Sequence, residues 1–194
     1  MNNLSLTKAE RLAKTKGIKG WAAMLCLVAL MCVDQFVLQI PFFNLVFPIL
    51  IICAASMSLA KNLVLVALYS LIFELSCLAW NPADIFRAQW WLLEVFVGYL
   101  MPLVAYKAIN RKHKNTSIFA YAGMAALGQF AYYWVSVAAT VLLFGMNPTA
   151  YALSDLPYQL IGCVATFACT LPIAAIYKFM TGEMRFKKKS ALQA

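Results

Sequence analysis

Residues 63–79 read LVLVALYSLIFELSCLA, and this stretch decides the fold. It is apolar apart from two serines, a tyrosine and one charged residue, Glu74. A helix needs about 20 mostly apolar residues to cross a bilayer core of about 30 Å, so the stretch predicts a transmembrane helix. Lys61 and Asn62 are predicted to form a tight turn before it, and the turn-forming run WNPAD at 80–84 is predicted to end it.

The whole chain carries the same pattern. It has 194 residues, of which 64% are hydrophobic and only 12% charged, whereas about a quarter of the residues in a soluble domain are charged. The same length rule predicts an all-α membrane protein with six transmembrane helices, at residues 20–38, 42–60, 63–79, 89–106, 117–144 and 156–179. Residues 1–19 are predicted to form a basic cytoplasmic segment, 20–179 the membrane domain and 180–194 a basic cytoplasmic tail.

Prolines and turn-forming residues bear on three helix ends. Pro48 lies inside the second predicted helix and is compatible with a re-entrant first turn. The run GMNP at 145–148 is predicted to end the fifth helix. Ser154 or Asp155 is predicted to cap the start of the sixth helix, with Pro157 in its first turn.

The distribution of Lys and Arg predicts the orientation. With both termini in the cytoplasm, Arg87 falls on the outer side and every other Lys or Arg falls on the inner side. This agrees with the positive-inside rule and with an even number of spans. About twenty polar and basic residues precede the first apolar stretch, so we expect no cleavable signal peptide. The net charge of +9 then follows from topology, and we expect no nucleic-acid partner.

The sequence carries no pattern that predicts catalysis or metal binding. The six cysteines fall in apolar segments without a CxxC pair, so we interpret them as small packing residues. His113, the single histidine, lies in a basic loop. GxSxG, HExxH, Walker and Gly-rich dinucleotide motifs are all missing from the sequence. We therefore expect no enzyme activity, no cofactor and no metal, and any ATP hydrolysis must come from another chain.

Polar and aromatic residues concentrate in the outer half of the predicted bundle. Ionisable groups inside a membrane are costly and by default mark functional sites, so Glu74 must face the interior, take a proton or find a partner. The candidate substrate-binding residues share an outer or middle depth, and they are Asp34, Gln35, Asn44, Glu74, Trp80, Asn81, Trp91, Glu94, Gln129, Tyr132, Tyr133, Tyr158 and Gln159. They predict a polar, aromatic-lined pocket that opens outward and is closed toward the cytoplasm.

Other interpretations stay open for these residues. The tryptophans and Tyr158 also fit an interfacial aromatic belt, and Gln129, Tyr132 and Tyr133 also fit interhelical packing with hydrogen bonds. Five acids face one arginine on the outer side, which disfavours an anionic substrate. A neutral or cationic nitrogen-rich ring could stack on the aromatic side chains and donate hydrogen bonds to the glutamates.

Three sequence features carry a resemblance to a transporter family: the small residues Gly20, Ala22, Ala23 and Cys26, the loop IPFFN at 40–44, and the helix entry DLPYQL at 155–160. With its length and basic ends, the chain resembles the substrate-binding S component of energy-coupling factor (ECF) vitamin transporters. The resemblance implies a subunit in the plasma membrane of a prokaryote that binds a water-soluble vitamin or precursor, such as cobalamin or a thiamine-type compound. It also implies three partner chains within or below the lipid bilayer. These are a transmembrane coupling subunit, which would meet the surface of Ala22, Ala23 and Cys26, and two cytoplasmic ATPases.

Two other classes of membrane protein remain open. An MreD-like structural scaffold of cell-wall elongation has a similar size and helix number, but it has no need of a buried glutamate. A stand-alone secondary transporter is the third choice, although the sequence shows no internal repeat and no paired broken helices. Glu74→Gln and Glu94→Gln distinguish a receptor from a scaffold, because a scaffold would tolerate both.

Overall fold

A computed structural model of the chain describes residues 8–38, 44–80, 88–110 and 116–181. Every regular element in these ranges is a helix, which confirms the predicted all-α class. The elements are α1 (Lys8–Val33), a π-helical turn (Asp34–Leu38), α2 (Val46–Ser56), α3 (Leu59–Trp80), α4 (Ala88–Asn110), α5 (Ile118–Phe144) and α6 (Pro148–Met180).

Five of these helices are long and apolar enough to cross a membrane. The apolar stretches that meet this test are Gly20–Val37, Leu59–Ser76, Leu92–Ile109, Ile118–Leu142 and Pro148–Met180. By length and composition the chain is therefore a multi-pass membrane protein. The exception is α2, whose 11 residues reach only about 16 Å, roughly half of a bilayer core. The sixth span predicted at 42–60 is not shown.

The short helix α2 lies in the interior of the bundle. Val46, Phe47, Ile51 and Cys53 are among its many buried side chains, and α2 packs against α4, α5 and α6. The long helices contact one another in the order α1, α3, α4, α5, α6. Pro48 lies in the first turn of α2, where the missing N–H of a proline removes no intrahelical hydrogen bond. A helix that is apolar all round is suited to such a buried position.

The turn between α2 and α3 lies earlier than predicted. Met57 and Ser58 form it, whereas Lys61 and Asn62 lie in the first turn of α3, so the predicted turn at 61–62 is wrong. The reason is the buried Asn62 side chain, whose Nδ2 donates to the carbonyls of Met57 at 3.2 Å and Ser58 at 3.1 Å. The Ser58 carbonyl also accepts the backbone N–H of Asn62 at 3.1 Å, so both the backbone and the side chain of Asn62 hold the start of α3. Lys61 is also accommodated there, with its Nζ 5.9 Å from the ring centroid of Trp21.

The start of α6 also differs from the prediction. The side-chain oxygen of Asn147 accepts from the N–H groups of Thr149 and Ala150, and Pro148 follows as the first helical residue. The predicted cap at Ser154 or Asp155 is therefore wrong, and Pro157 lies inside the helix. Asn147 followed by a proline is a favourable helix start because the side chain caps the free N–H groups and proline already has a helical φ. Gly145 ends α5, as predicted, with φ 64°.

The two ends of the bundle carry opposite charges in the part of the chain that the structure describes. Lys61, Lys107 and Lys178 lie at the end where α3 begins and where α4 and α6 finish, which we call the basic end. Lys178 is buried there, and its Nζ donates to the Thr116 carbonyl at 2.7 Å, which ties α6 to the segment before α5. The acidic end is the opposite one, toward which Asp34, Glu74, Glu94 and Asp155 lie.

Candidate functional site

Three carboxylates lie at similar depth near the acidic end. Glu74 is six residues before the end of α3 and Glu94 six residues after the start of α4, so each lies about 9 Å inside its helix end at a rise of 1.5 Å per residue. Because α3 packs against α4, the two glutamates lie at matching depth on neighbouring helices. The third carboxylate is Asp34, in the π-helical turn after α1.

Asp34 connects the end of α1 to the start of α2. Its Oδ2 accepts the Leu45 N–H at 2.7 Å, while the Asn44 Oδ1 accepts the Val46 N–H at 2.8 Å. Both side chains therefore hold the buried start of α2, where free N–H groups attract negative charge. The second oxygen of Asp34, Oδ1, is buried and has no hydrogen-bond partner among the described residues.

Ser70 and Glu74 lie one helical turn apart on the buried face of α3. Ser70 is 0% exposed and Glu74 is 4% exposed. The Ser70 Oγ and the Glu74 Oε1 have no hydrogen-bond partner within the described ranges. Buried polar groups normally have partners because leaving one unpaired costs about 1–3 kcal/mol. The unused acceptors therefore indicate a place where a further polar group can bind.

An aromatic cluster adjoins these acceptors. We call it the ring cluster, and its members are Phe36, Phe47, Tyr69, Phe73, Tyr99 and Tyr132. Tyr99 is at its centre, with ring centroids 5.1 Å from Tyr69 and 4.9 Å from Tyr132, the latter stacked. Because Tyr69 and Phe73 immediately precede Ser70 and Glu74 in α3, the aromatic surface and the polar atoms share one region of the interior.

The structure separates the predicted mid-depth residues of α5. Tyr132 belongs to the ring cluster, but Gln129 points toward α6, where its Oε1 accepts from the Thr166 hydroxyl and its amide packs on Gly162. The Tyr133 hydroxyl donates to the Ala152 carbonyl of α6 at 2.8 Å. Gln129 and Tyr133 therefore connect α5 to α6, the arrangement that interhelical packing predicts.

Several other predicted site residues do not belong to the ring cluster, and one of them lies outside the described residues. Tyr158 is 61% exposed on α6, and the Gln159 amide donates to Asp155 Oδ2 at 3.1 Å. Gln35 is half-buried in the π-helical turn. The last residue of α3 is Trp80, the first turn of α4 includes Trp91, and Asn81 lies outside the described residues.

The predicted partner surface of α1 is exposed. Ala22, Ala23 and Cys26 all lie on the outside of the bundle, beside Trp21 and Leu25. Small side chains on an exposed membrane helix allow another helix to approach closely. The surface is thus accessible to lipid or to a transmembrane partner.

Sequence reasoning missed Ser70 and most of the ring cluster. A serine or a phenylalanine in an apolar helix is ordinary, so neither carries a signal by residue type. The available signal was spacing, because Ser70 is four residues before Glu74 and Tyr69 is four residues before Phe73, and residues four apart share a helix face. Counting back four residues from Glu74 therefore identifies Ser70 as a second polar residue on the same face of α3.

We expect Tyr133→Phe to lower the free energy of unfolding by about 0.5–1.5 kcal/mol, because it removes the hydrogen bond to the Ala152 carbonyl. Thermal unfolding in detergent, followed by intrinsic fluorescence, measures the change. Tyr158→Phe is the matched control, since that tyrosine is exposed. Equal melting temperatures for Tyr133→Phe and the native protein would contradict the proposed role of this contact.

An apolar groove of about 430 Å³ lies at the surface between α3 and α4, lined by Ala67, Leu71, Leu92, Leu93 and Phe96. This lining offers no side-chain hydrogen-bond partner to a polar solute. The buried acceptors and the ring cluster are therefore the better candidate site, since they combine hydrogen-bonding atoms with flat apolar surface.

Comparison of the chain with family models, curated proteins and solved structures gives no match.

Proposed function

We propose that this chain is the solute-binding membrane subunit of an ATP-driven importer of the ECF type, for a neutral or cationic water-soluble vitamin or precursor. The observation that carries the proposal is Glu74, a buried acid with one carboxylate oxygen unpaired among the described residues and with the ring cluster beside it. An ionisable group held inside a membrane bundle is costly unless it serves a function. Solute binding would supply the missing hydrogen bond.

Charge supports the orientation in the proposal. With the basic end in the cytoplasm, as the positive-inside rule favours, the acidic end and its carboxylates face the outside of a prokaryotic cell. A solute would then enter from outside, and both termini would be cytoplasmic. Energy for transport would come from two cytoplasmic ATPases through a transmembrane coupling subunit, which would dock on Ala22, Ala23 and Cys26.

The same acids favour a receptor over a structural scaffold. A scaffold needs matching surfaces, and a buried unpaired carboxylate would only lower its stability. A solute site needs acceptors that are free before the solute arrives. Asp34 and Glu74 each keep one such oxygen within the described part of the bundle.

Two measurements test the proposal in the full chain. Addition of a panel of water-soluble vitamins to the detergent-purified protein should change its intrinsic fluorescence with one neutral or cationic member, in a saturable manner. A pulldown from the native membrane should recover two ATPase chains and one other membrane subunit. If a vitamin changes the fluorescence but the pulldown recovers no ATPase chains, the ECF assignment is contradicted. If no vitamin changes the fluorescence, the function as a vitamin receptor is contradicted.

A further inference from the structure

We infer that Asp34, Ser70 and Glu74 form a subsite for a planar nitrogen cation, of amidinium or protonated aminoheterocycle type, within the bound solute. The inference rests on the proposed function, because it names the part of the solute that this end of the bundle recognises. Ser70 is central to it, since it adds a buried, uncharged acceptor one helical turn from Glu74.

Two contacts show that Asp34 is level with the turn of α3 that carries Ser70 and Glu74. Near the basic end Trp21 meets Lys61, 40 positions later, and near the acidic end Phe36 meets Phe73, 37 positions later. The helices α1 and α3 therefore run side by side in the same direction. Asp34 precedes Ser70 by 36 positions and Glu74 by 40, so its depth falls within this turn.

The turn that carries Asp34 also lies against α3. The ring centroid of Phe36, two residues after Asp34, is 6.0 Å from that of Phe73, the residue before Glu74. Asp34 is 4% exposed, like Glu74, and Ser70 is fully buried. Asp34 Oδ1, Ser70 Oγ and Glu74 Oε1, which have no hydrogen-bond partner among the described residues, thus lie at similar depth in the bundle interior.

The negative charge of Asp34 and Glu74 favours binding of a cation. Two carboxylates contribute negative charge, while the lysines whose side chains the structure describes, Lys61, Lys107 and Lys178, lie at the basic end. A buried charge without a partner is strongly destabilising. Among the lysine side chains that the structure describes, none lies at the acidic end, so we assign the positive partner to the solute.

The ring cluster favours an organic cation over a metal ion. Aromatic faces attract cations and stack on flat rings, and Tyr69 and Phe73 provide such faces beside the acceptors. In the described ranges no group of three or more His, Cys, Asp or Glu side chains is placed to hold a metal ion. A planar N–H fork also matches carboxylate oxygens in geometry and donates charge-assisted hydrogen bonds.

Isothermal titration of the detergent-purified full chain with benzamidinium tests the subsite, because this probe combines a flat ring with a planar cation. We expect saturable binding that is about tenfold weaker for the neutral isostere benzamide, because the charge-assisted hydrogen bonds are lost. Ser70→Ala should weaken benzamidinium by a similar factor. Ser76→Ala is the matched control, since Ser76 lies on the same helix and its hydroxyl already donates to the Ile72 carbonyl.

Three results would overturn the subsite. These are absence of saturable benzamidinium binding, equal affinities for benzamidinium and benzamide, and an unchanged affinity in Ser70→Ala. Displacement of the probe by sodium chloride, but not by choline chloride, would show an inorganic cation site instead. If the native solute binds to Ser70→Ala as tightly as to the native protein, the subsite is contradicted but the receptor function is not. If the native protein binds no solute at all, both the subsite and the receptor function are contradicted.

Discussion

Glu74→Gln is expected to lower the affinity for the native solute by about 10- to 100-fold, because a charge-assisted hydrogen bond inside the protein contributes about 1.5–3 kcal/mol. The substitution keeps the shape of the side chain and removes its charge. It should leave the melting temperature of the solute-free protein unchanged or raise it, since an amide costs less to bury than an unpaired carboxylate. The two measurements are solute binding by titration and thermal unfolding by intrinsic fluorescence.

Asp155→Asn is the matched control for this prediction. Asp155 is also an acid near the acidic end, but it lies on α6, where Gln159 donates to it. The variant should bind the solute as the native protein does. Full solute binding by Glu74→Gln together with a large loss of stability would contradict the prediction, and it would indicate that Glu74 has a packing role.

Gly128→Ala is expected to destabilise the protein by about 1–3 kcal/mol through overpacking. A Cβ on Gly128 would lie 2.9 Å from the Cα of Pro102 and 2.8 Å from its Cγ. A backbone atom cannot move aside as a flexible side chain can, so α4 and α5 would have to separate. The gain in helix propensity from Gly to Ala, about 1 kcal/mol at most, is smaller than the expected steric cost. Thermal unfolding in detergent measures the difference.

Gly123→Ala separates these two effects, because a Cβ on Gly123 of the same helix has nothing within 4 Å. Only the propensity term remains there, so this variant should be as stable as the native protein or more stable. Opposite signs for the two variants would establish close packing of α4 against α5. A Gly128→Ala protein as stable as Gly123→Ala would contradict it.

The membrane helices could be predicted from hydropathy, and the interior helix could not. The stretch at 63–79 lies wholly inside α3, as its length and apolar composition predict. Residues 42–60 are similarly apolar, but the described part of this stretch divides into α2 (Val46–Ser56) and, from Leu59, the start of α3. An apolar composition indicates that a segment lies away from water. It does not distinguish a helix that spans the membrane and faces lipid from a short helix covered by other helices.

The helix junctions depended on hydrogen bonds that composition does not reveal. The polar residue Asn62 predicts a turn, yet its side chain donates to the carbonyls of Met57 and Ser58 from inside α3. Asn147 is predicted at the end of α5, but it caps the start of α6. Both residue types favour turns and caps alike, and the tertiary structure decides between them.

The candidate site was partly visible in the sequence. A charge in an apolar helix is conspicuous, so the sequence predicts Glu74, and the predicted topology gives Asp34 and Glu94 a similar outer depth. The four-residue spacing to Glu74 predicts that Ser70 shares its face of α3, whereas most of the ring cluster depends on which faces of the helices meet, including the face of α2 that carries Phe47. Conversely, Gln129 and Tyr133 are residue types that often bind solutes, but in the structure they form hydrogen bonds between α5 and α6.

Identification of a molecule released from the purified protein tests the receptor most directly. The full chain is purified in detergent from cells grown in rich medium, denatured, and the supernatant is analysed by mass spectrometry beside that of Glu74→Gln. We expect about one equivalent of a neutral or cationic water-soluble vitamin or precursor from the native protein and much less from the variant, as a tenfold or greater loss of affinity requires. Reproducible absence of any small molecule from the native protein, or equal amounts from both proteins, would contradict solute binding at Glu74.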